Sequence, residues 1–183
     1  MTGVRDIEIR IATVEDAERV SAFAARTFAE TFAADNAAED MALHLATTYT
    51  PELQRTELAD RTMRTLVAER DGEMVAYAQL ASHEAPGCVT GAAPIELARI
   101  YIDRAWHGHG IAPAMMRRAI EEAKQMGGET LWLGVWERNP RAIAFYRKMG
   151  FTDVGSHDFV LGRDVQTDRV MQRPIGDDVR AGG

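Results

Sequence analysis

Ile7, Ile9 and Ile11 alternate with Glu8 and Arg10 at the start of the chain, a two-residue period that predicts a strand over 7–11. The period then lengthens. Val20, Phe23, Ala24, Thr27, Phe28 and Thr31 recur at steps of three and four, which predicts a helix to about residue 33, with Thr13 as its cap and Glu15 and Asp16 in its first turn. Two shorter helices are expected over 37–47 and 51–61, the second entered through Thr50 and Pro51. Strand patterns over 65–69 and 74–80 flank Asp71-Gly72, a pair suited to a tight hairpin. Further on come a strand over 95–102, a helix over 111–126 stopped by Gly127-Gly128, and a strand over 131–136. A helix opened by Asn139-Pro140 and closed by Gly150 follows, then strands over 151–157 and 165–173. With no repeat or low-complexity stretch, residues 1–175 read as one α/β domain and 176–183 as a frayed tail.

Within the strand over 95–102 the alternation breaks. Ile95 and Leu97 hold odd positions, whereas Ile100 and Ile102 hold even ones, so a strict period would put the two pairs on opposite faces. A bulge near Ala98-Arg99 would reconcile them and free main-chain groups of 100–102 for an extended ligand. A strand buried on both faces would make the parity uninformative.

Composition narrows the class. The chain has 183 residues, 46% of them hydrophobic and 27% charged, enough for one core of ordinary size. A net charge of -7 argues against nucleic-acid and anionic-membrane partners and favours cationic ones. No apolar signal core follows Met1 and no stretch reaches membrane-spanning length, so a cytoplasmic location is expected. The single cysteine, Cys88, excludes an internal disulfide and a cysteine metal cluster, and no histidine pairing marks it as a nucleophile. Between 30 and 60 the acids Glu30, Asp35, Glu39, Asp40, Glu52, Glu57 and Asp60 face only Arg55, a bias that would attract a polycation or simply solvate the helices.

The segment from His107 through Gly108, His109, Gly110 and Ile111 to Ala112 joins the irregular strand to a helix. Two glycines permit a tight turn and a close backbone approach, and the helix behind them offers unpaired N–H groups: a pyrophosphate seat. The glycines alone do not name the ligand. A Walker loop needs Lys followed by Ser or Thr where this chain has Pro113-Ala114-Met115-Met116. A dinucleotide fingerprint needs a third small residue where Pro113 stands, although Glu137 at the end of the next strand keeps a nicotinamide or flavin reading open. A His107–His109 metal pair lacks a third ligand.

The turn, its helix and the run Asn139-Pro140-Arg141-Ala142-Ile143-Ala144-Phe145-Tyr146-Arg147-Lys148-Met149-Gly150-Phe151 resemble the GCN5-related N-acetyltransferases (GNAT), whose signature is Gln/Arg-x-x-Gly-x-Gly/Ala followed by Asn-x-x-Ala-x-x-x-Tyr-x-x-x-Gly-Phe. The second block matches at each landmark; in the first, His107 replaces Gln or Arg. The resemblance spans about 7–174, its motifs 95–151. The 27–32 pattern and the segments 154–159 and 161–168 resemble bacterial PaiA-type spermidine/spermine acetyltransferases. The likeness implies a central mixed, mostly antiparallel sheet of about seven strands flanked by helices, acetyl-CoA as cosubstrate, no metal, and an acceptor that is a small amine or bears a lysine. It also allows a homodimer.

It further implies roles for single residues. Main-chain groups of Ile100, Tyr101 and Ile102 would pair with the pantetheine arm, and His107, Gly108, His109, Gly110, Ile111 and Ala112 would hold the pyrophosphate. Asn139, Ala142, Tyr146 and Lys148 complete the expected cofactor side. Tyr146, a phenol of ordinary pKa about 10, would protonate the departing thiolate; its competing reading is a half-buried core tyrosine. Glu96 would take the amine's proton; its competing reading is an ordinary carboxylate paired with a neighbour such as Arg99. Phe28, Glu30, Thr31 and Phe32 would border the acceptor, with Phe28 and Phe32 equally explicable as core. A polyamine is the preferred acceptor, a protein lysine or N-terminus the alternative. A catalytically silent acyl-CoA-binding module is the reading from another class.

Overall fold

The computed structural model describes residues 6–176. Seven strands form one sheet: β1 (Glu8–Ile11), β2 (Met63–Arg70), β3 (Glu73–Ala81), β4 (Pro94–Ile102), β5 (Thr130–Trp136), β6 (Thr152–Leu161) and β7 (Asp164–Pro174), in the order β1-β2-β3-β4-β5-β7-β6. Every neighbouring pair is antiparallel except β4 and β5. Five α-helices accompany them: α1 (Ala17–Phe32), α2 (Ala38–Thr48), α3 (Pro51–Ala59), α4 (Ile111–Gln125) and α5 (Pro140–Lys148). Residues 177–183, most of the expected tail, lie outside those described.

Local chemistry sets the element boundaries. The Thr13 N–H donates to Asp16 Oδ2 at 2.9 Å, and a short 3₁₀ turn, Val14–Asp16, precedes α1, so the helix begins a turn later than its cap suggests. Arg10 grips Asp16 through two nitrogens at 2.7 and 2.8 Å and also reaches Glu69, tying β1, α1 and β2 together and holding the Asp16 carboxyl down at about 2. At the head of α3 the Thr50 hydroxyl accepts from Leu53 N, with Pro51 in the first turn. Asp71 and Gly72 both take positive φ, 50° and 82°, as a two-residue hairpin whose twist suits its strands demands.

Two apolar layers sandwich the sheet. On one face α4 contributes Ile111, Met115, Met116, Ala119, Ile120 and Ala123, and α5 contributes Ile143; they pack on the inward residues of β2–β5, among them Leu66, Ala78, Leu80, Leu97 and Leu133. Glu122, buried in α4, is held by Arg64 of β2 and Arg118 of its own helix. On the other face Val20, Phe23, Ala24 and Phe28 of α1 meet Met41, Tyr49, Val67, Tyr77 and Leu161.

The last hairpin is longer than the sequence pattern predicts. β6 runs to Leu161 rather than 157, with His157, Phe159 and Leu161 turned inward, because exposed Val160 and Val165 blur the alternation that marks its end. Gly162, at φ +62°, turns the chain against α2: a Cβ there would lie 2.5 Å from the Asp40 Cα. Arg163 N donates to Asp40 Oδ1 and Gln166 Nε2 to Asn36 Oδ1, so the hairpin tip is fastened to the start of α2.

Candidate active site

The break in alternation along β4 is a bulge. Gln79 of β3 faces Arg99 and Leu80 faces Leu97, which leaves Ala98 as the extra residue. Ile95, Leu97, Ile100 and Ile102 therefore all pack on the α4 face, while Tyr101 joins the cluster beneath α1. β4 pairs with β5 only from Pro94 to Glu96, opposite Thr130 to Trp132, and the two strands then part. β5 stays paired with β7 along its whole length, so the gap opens beside β4, whose 97–102 edge faces no strand there.

At the mouth of that gap Asp103 caps a 3₁₀ turn, Arg104–Trp106, and the glycine turn follows. Gly108 and Gly110 take φ of +81° and +79°. No atom lies within 4 Å of a Cβ placed on Gly108, so glycine is required there by backbone conformation alone. Gly110 caps α4 with no side chain, leaving the first N–H groups of the helix without a side-chain partner. His107 Nε2 donates to the Ile102 carbonyl at 3.1 Å, and Arg141 donates to its Nδ1 at 3.4 Å. His109 Nδ1 in turn donates to the His107 carbonyl. Arg141 thus brings the first turn of α5 and a fixed positive charge to the glycine turn, a neighbour the motif reading missed although the residue stands two places after Asn139.

Asn139 caps α5 by accepting from Ala142 N at 3.1 Å, and Ala142 packs on the core. Lys148 is exposed in the last turn of that helix. Tyr146 packs with Phe145 and Phe151, ring centroids 5.5 and 5.8 Å away. Burial, and then the Asp168 carboxylate, push its phenol well above the ordinary range. Tyr101, on the opposite face, feels Tyr146 among its phenolic neighbours. The Tyr146 phenol is therefore in electrostatic reach of Tyr101 and of Asp168, and is held protonated.

The face beneath α1 is rich in side-chain chemistry. Glu96 is not paired with Arg99: its Oε2 lies 2.6 Å from His83 Nε2, and burial raises its pKa. Arg99 instead forms a two-pronged contact with Glu57 at 2.8 and 3.2 Å, with Gln79 donating to the same carboxylate and the Tyr49 ring 5.2 Å from the guanidinium. Tyr49, its phenol pushed up to about 12 by burial, belongs with Tyr77 and Tyr101 to one aromatic cluster. Across β5 stands a second carboxylate, itself buried. Asp168 faces Trp136 in register, reaches over Gly134 beside His157, and is raised by burial to about 6.

Of the residues expected to border an acceptor, Phe28 and Phe32 converge on this face: Phe28 packs with Phe32, His44, Tyr49 and Tyr101, and Phe32 meets Trp136 at 6.1 Å. Glu30 and Thr31 are exposed; Glu30 pairs with Arg26, and the Thr31 hydroxyl donates to the Thr27 carbonyl. His83 had no sequence signal; Glu57 stood only within the acidic run of 30–60, and His157 and Asp168 only within the 154–168 resemblance, since each meets the site from a segment far along the chain. Among the described residues no three metal-ligating side chains converge, and no helix is long and apolar enough to cross a membrane.

The chain and its fold have counterparts among known proteins. An uncharacterized N-acetyltransferase of Lactobacillus delbrueckii subsp. lactis is 32% identical over 175 residues, covering 96% of this chain and 99% of its own. The PaiA N-acetyltransferase of Thermoplasma acidophilum, solved in complex with coenzyme A, shares the fold with a TM-score of 0.73 at 22% identity over 92% of this chain and 98% of its own. The yncA protein of Salmonella typhimurium, solved with acetyl-CoA, superposes with a TM-score of 0.68 at 18% identity over 97% and 98%. Residues 24–151, which carry the bulged strand, the glycine turn and the Asn139-to-Phe151 helix, match the acetyltransferase (GNAT) family, and the chain is therefore a GNAT N-acetyltransferase.

Proposed function

We propose that the protein moves an acetyl group from acetyl-CoA directly to a primary amine, with a polyamine such as spermidine or spermine as the preferred acceptor. The residues on the cofactor side fit this cosubstrate. Left-handed Gly108 and Gly110 present main-chain N–H groups to a diphosphate, with Arg141 beside them, and the free 97–102 edge of β4 suits the amide-bearing pantetheine arm. Acetyl-CoA supplies an activated thioester, whose carbonyl carbon the amine attacks.

The chain's own groups manage the protons. Glu96, lifted by burial, removes a proton from the incoming ammonium, which has no lone pair while protonated. Tyr146, held neutral, gives its proton to the departing sulfur. Both events take place at the β4–β5 gap, so no covalent acetyl-enzyme is required.

The observation that carries the amine reading is the pair of carboxylates, half-buried Glu96 and buried Asp168, on one face either side of β5. The nearby cation, Arg99, is already held by Glu57. A face with two acids and aromatic walls from Phe32, Trp132 and Trp136 suits a cation carrying more than one nitrogen.

Thiol release from acetyl-CoA across a panel of polyamines, lysine peptides and peptides with free N-termini tests the reading. Spermidine or spermine should give the highest kcat/KM. Preference for a peptide would overturn the polyamine assignment and leave acetyl transfer standing. No association with coenzyme A in calorimetry would overturn both.

A further inference from the structure

Glu96, once it has taken a proton, must lose it before the next turnover, and its side chain is only 16% exposed. His83 offers a route out. β3 places Tyr77, Gln79 and Ala81 at alternating positions, with Ala81 opposite Glu96, and His83 continues that parity beyond the strand. The residue before it is pinned, Ser82 N donating to the Thr62 carbonyl at 2.8 Å. His83 thereby sets Nε2 2.6 Å from Glu96 Oε2 while 51% of its side chain meets solvent. Trp132, opposite Glu96 on β5, turns its ring edge-on to His83 with centroids 6.1 Å apart and buries the far side of the pair.

We propose that His83 is the proton outlet of Glu96, carrying the proton taken from the acceptor ammonium across to water. The inference rests on Glu96 being the base. The ammonium N–H bond breaks, its electron pair stays on nitrogen for attack, and the proton binds Glu96. Transfer across the 2.6 Å contact to Nε2 restores the carboxylate and makes an imidazolium; water takes the Nδ1 proton, and proton exchange with solvent at the exposed ring then restores the Nδ1–H tautomer and frees Nε2 for the next cycle. Arg99, clamped by Glu57, is the other charge that favours the Glu96 carboxylate; His157 faces the opposite edge of Trp132, and Asp168 lies across β5.

His83→Ala and His83→Asn separate a proton carrier from a mere hydrogen-bonding prop. Both should lower kcat about tenfold to a hundredfold, leave coenzyme A affinity unchanged in calorimetry, and move the rising limb of the pH–rate profile upward, since His83 lowers the Glu96 pKa. The decisive readout is buffer rescue. Added imidazole should restore His83→Ala activity in proportion to its concentration, and buffers of differing pKa should rescue to graded extents. Wild-type turnover in His83→Asn, or a loss in His83→Ala that no buffer repairs, would overturn the outlet while leaving Glu96 as base. A rising limb that survives Glu96→Gln would overturn the base assignment and the outlet with it.

Discussion

The two sides of the β4–β5 gap are built from different materials. Toward α4 the site consists of main chain: two left-handed glycines, the uncapped start of a helix and an unpaired strand edge. Beneath α1 it consists of side chains, carboxylates, histidines and aromatic rings brought from α1, α3, the β3–β4 connection and strands β3 to β7. A backbone-built surface accepts one ligand class and tolerates varied side chains, whereas a side-chain surface is retuned by single substitutions. The proposed function puts the fixed cosubstrate on the first and the variable acceptor on the second.

The largest expected break in this division comes from the residue that serves both sides. Tyr146→Phe should lower kcat about a hundredfold or more with coenzyme A affinity in calorimetry nearly unchanged; equal turnover at saturating substrates would reject its acid role. Next, Glu96→Gln should cost about tenfold to a hundredfold and abolish the rise in rate with pH, because activity requires the carboxylate, whose raised pKa delays ionisation.

Asp168→Asn sharpens the contrast in another way. A carboxyl raised to about 6 in the fold but near 3.8 unfolded holds its proton longer when folded, so its relative stabilisation is complete below 3.8 and is lost as pH rises through 6. Removing the charge should therefore stabilise the protein at pH 7 by roughly 2–3 kcal/mol, seen as a higher Tm, with a gain that disappears toward pH 4. The same variant should raise the amine KM and leave that of acetyl-CoA alone. An unchanged Tm together with an unchanged amine KM would remove Asp168 from the acceptor side. The smallest effect is expected at Gly108→Ala, where strain of about 1–2 kcal/mol at positive φ should weaken coenzyme A binding several-fold and spare the amine KM.

The same contrast explains what the sequence could reveal. Backbone devices leave local traces: glycines at fixed spacing, Asn139 before Pro140, and the parity break that locates the bulge at Ala98. The acceptor side has no such trace. Arg99 bypasses Glu96, three residues away, for Glu57, forty-two away, because the bulge and the register of β3 decide which carboxylate lies within reach. His83 and Asp168 sit in segments whose alternation is ordinary, and only the sheet order brings them beside Glu96 and Tyr146. Glu30 shows the converse, an acid in a suggestive local pattern that spends its charge on Arg26.

The clasp of Gly162 on Asp40 has a bearing on how the molecule matures. It joins segments more than a hundred residues apart in the chain, and contacts of such span close late because loop entropy must be overcome first. During synthesis α1 to α4 and the glycine turn emerge before β6 and β7, so His157 and Asp168 join the face beneath α1 only when the last hairpin is made.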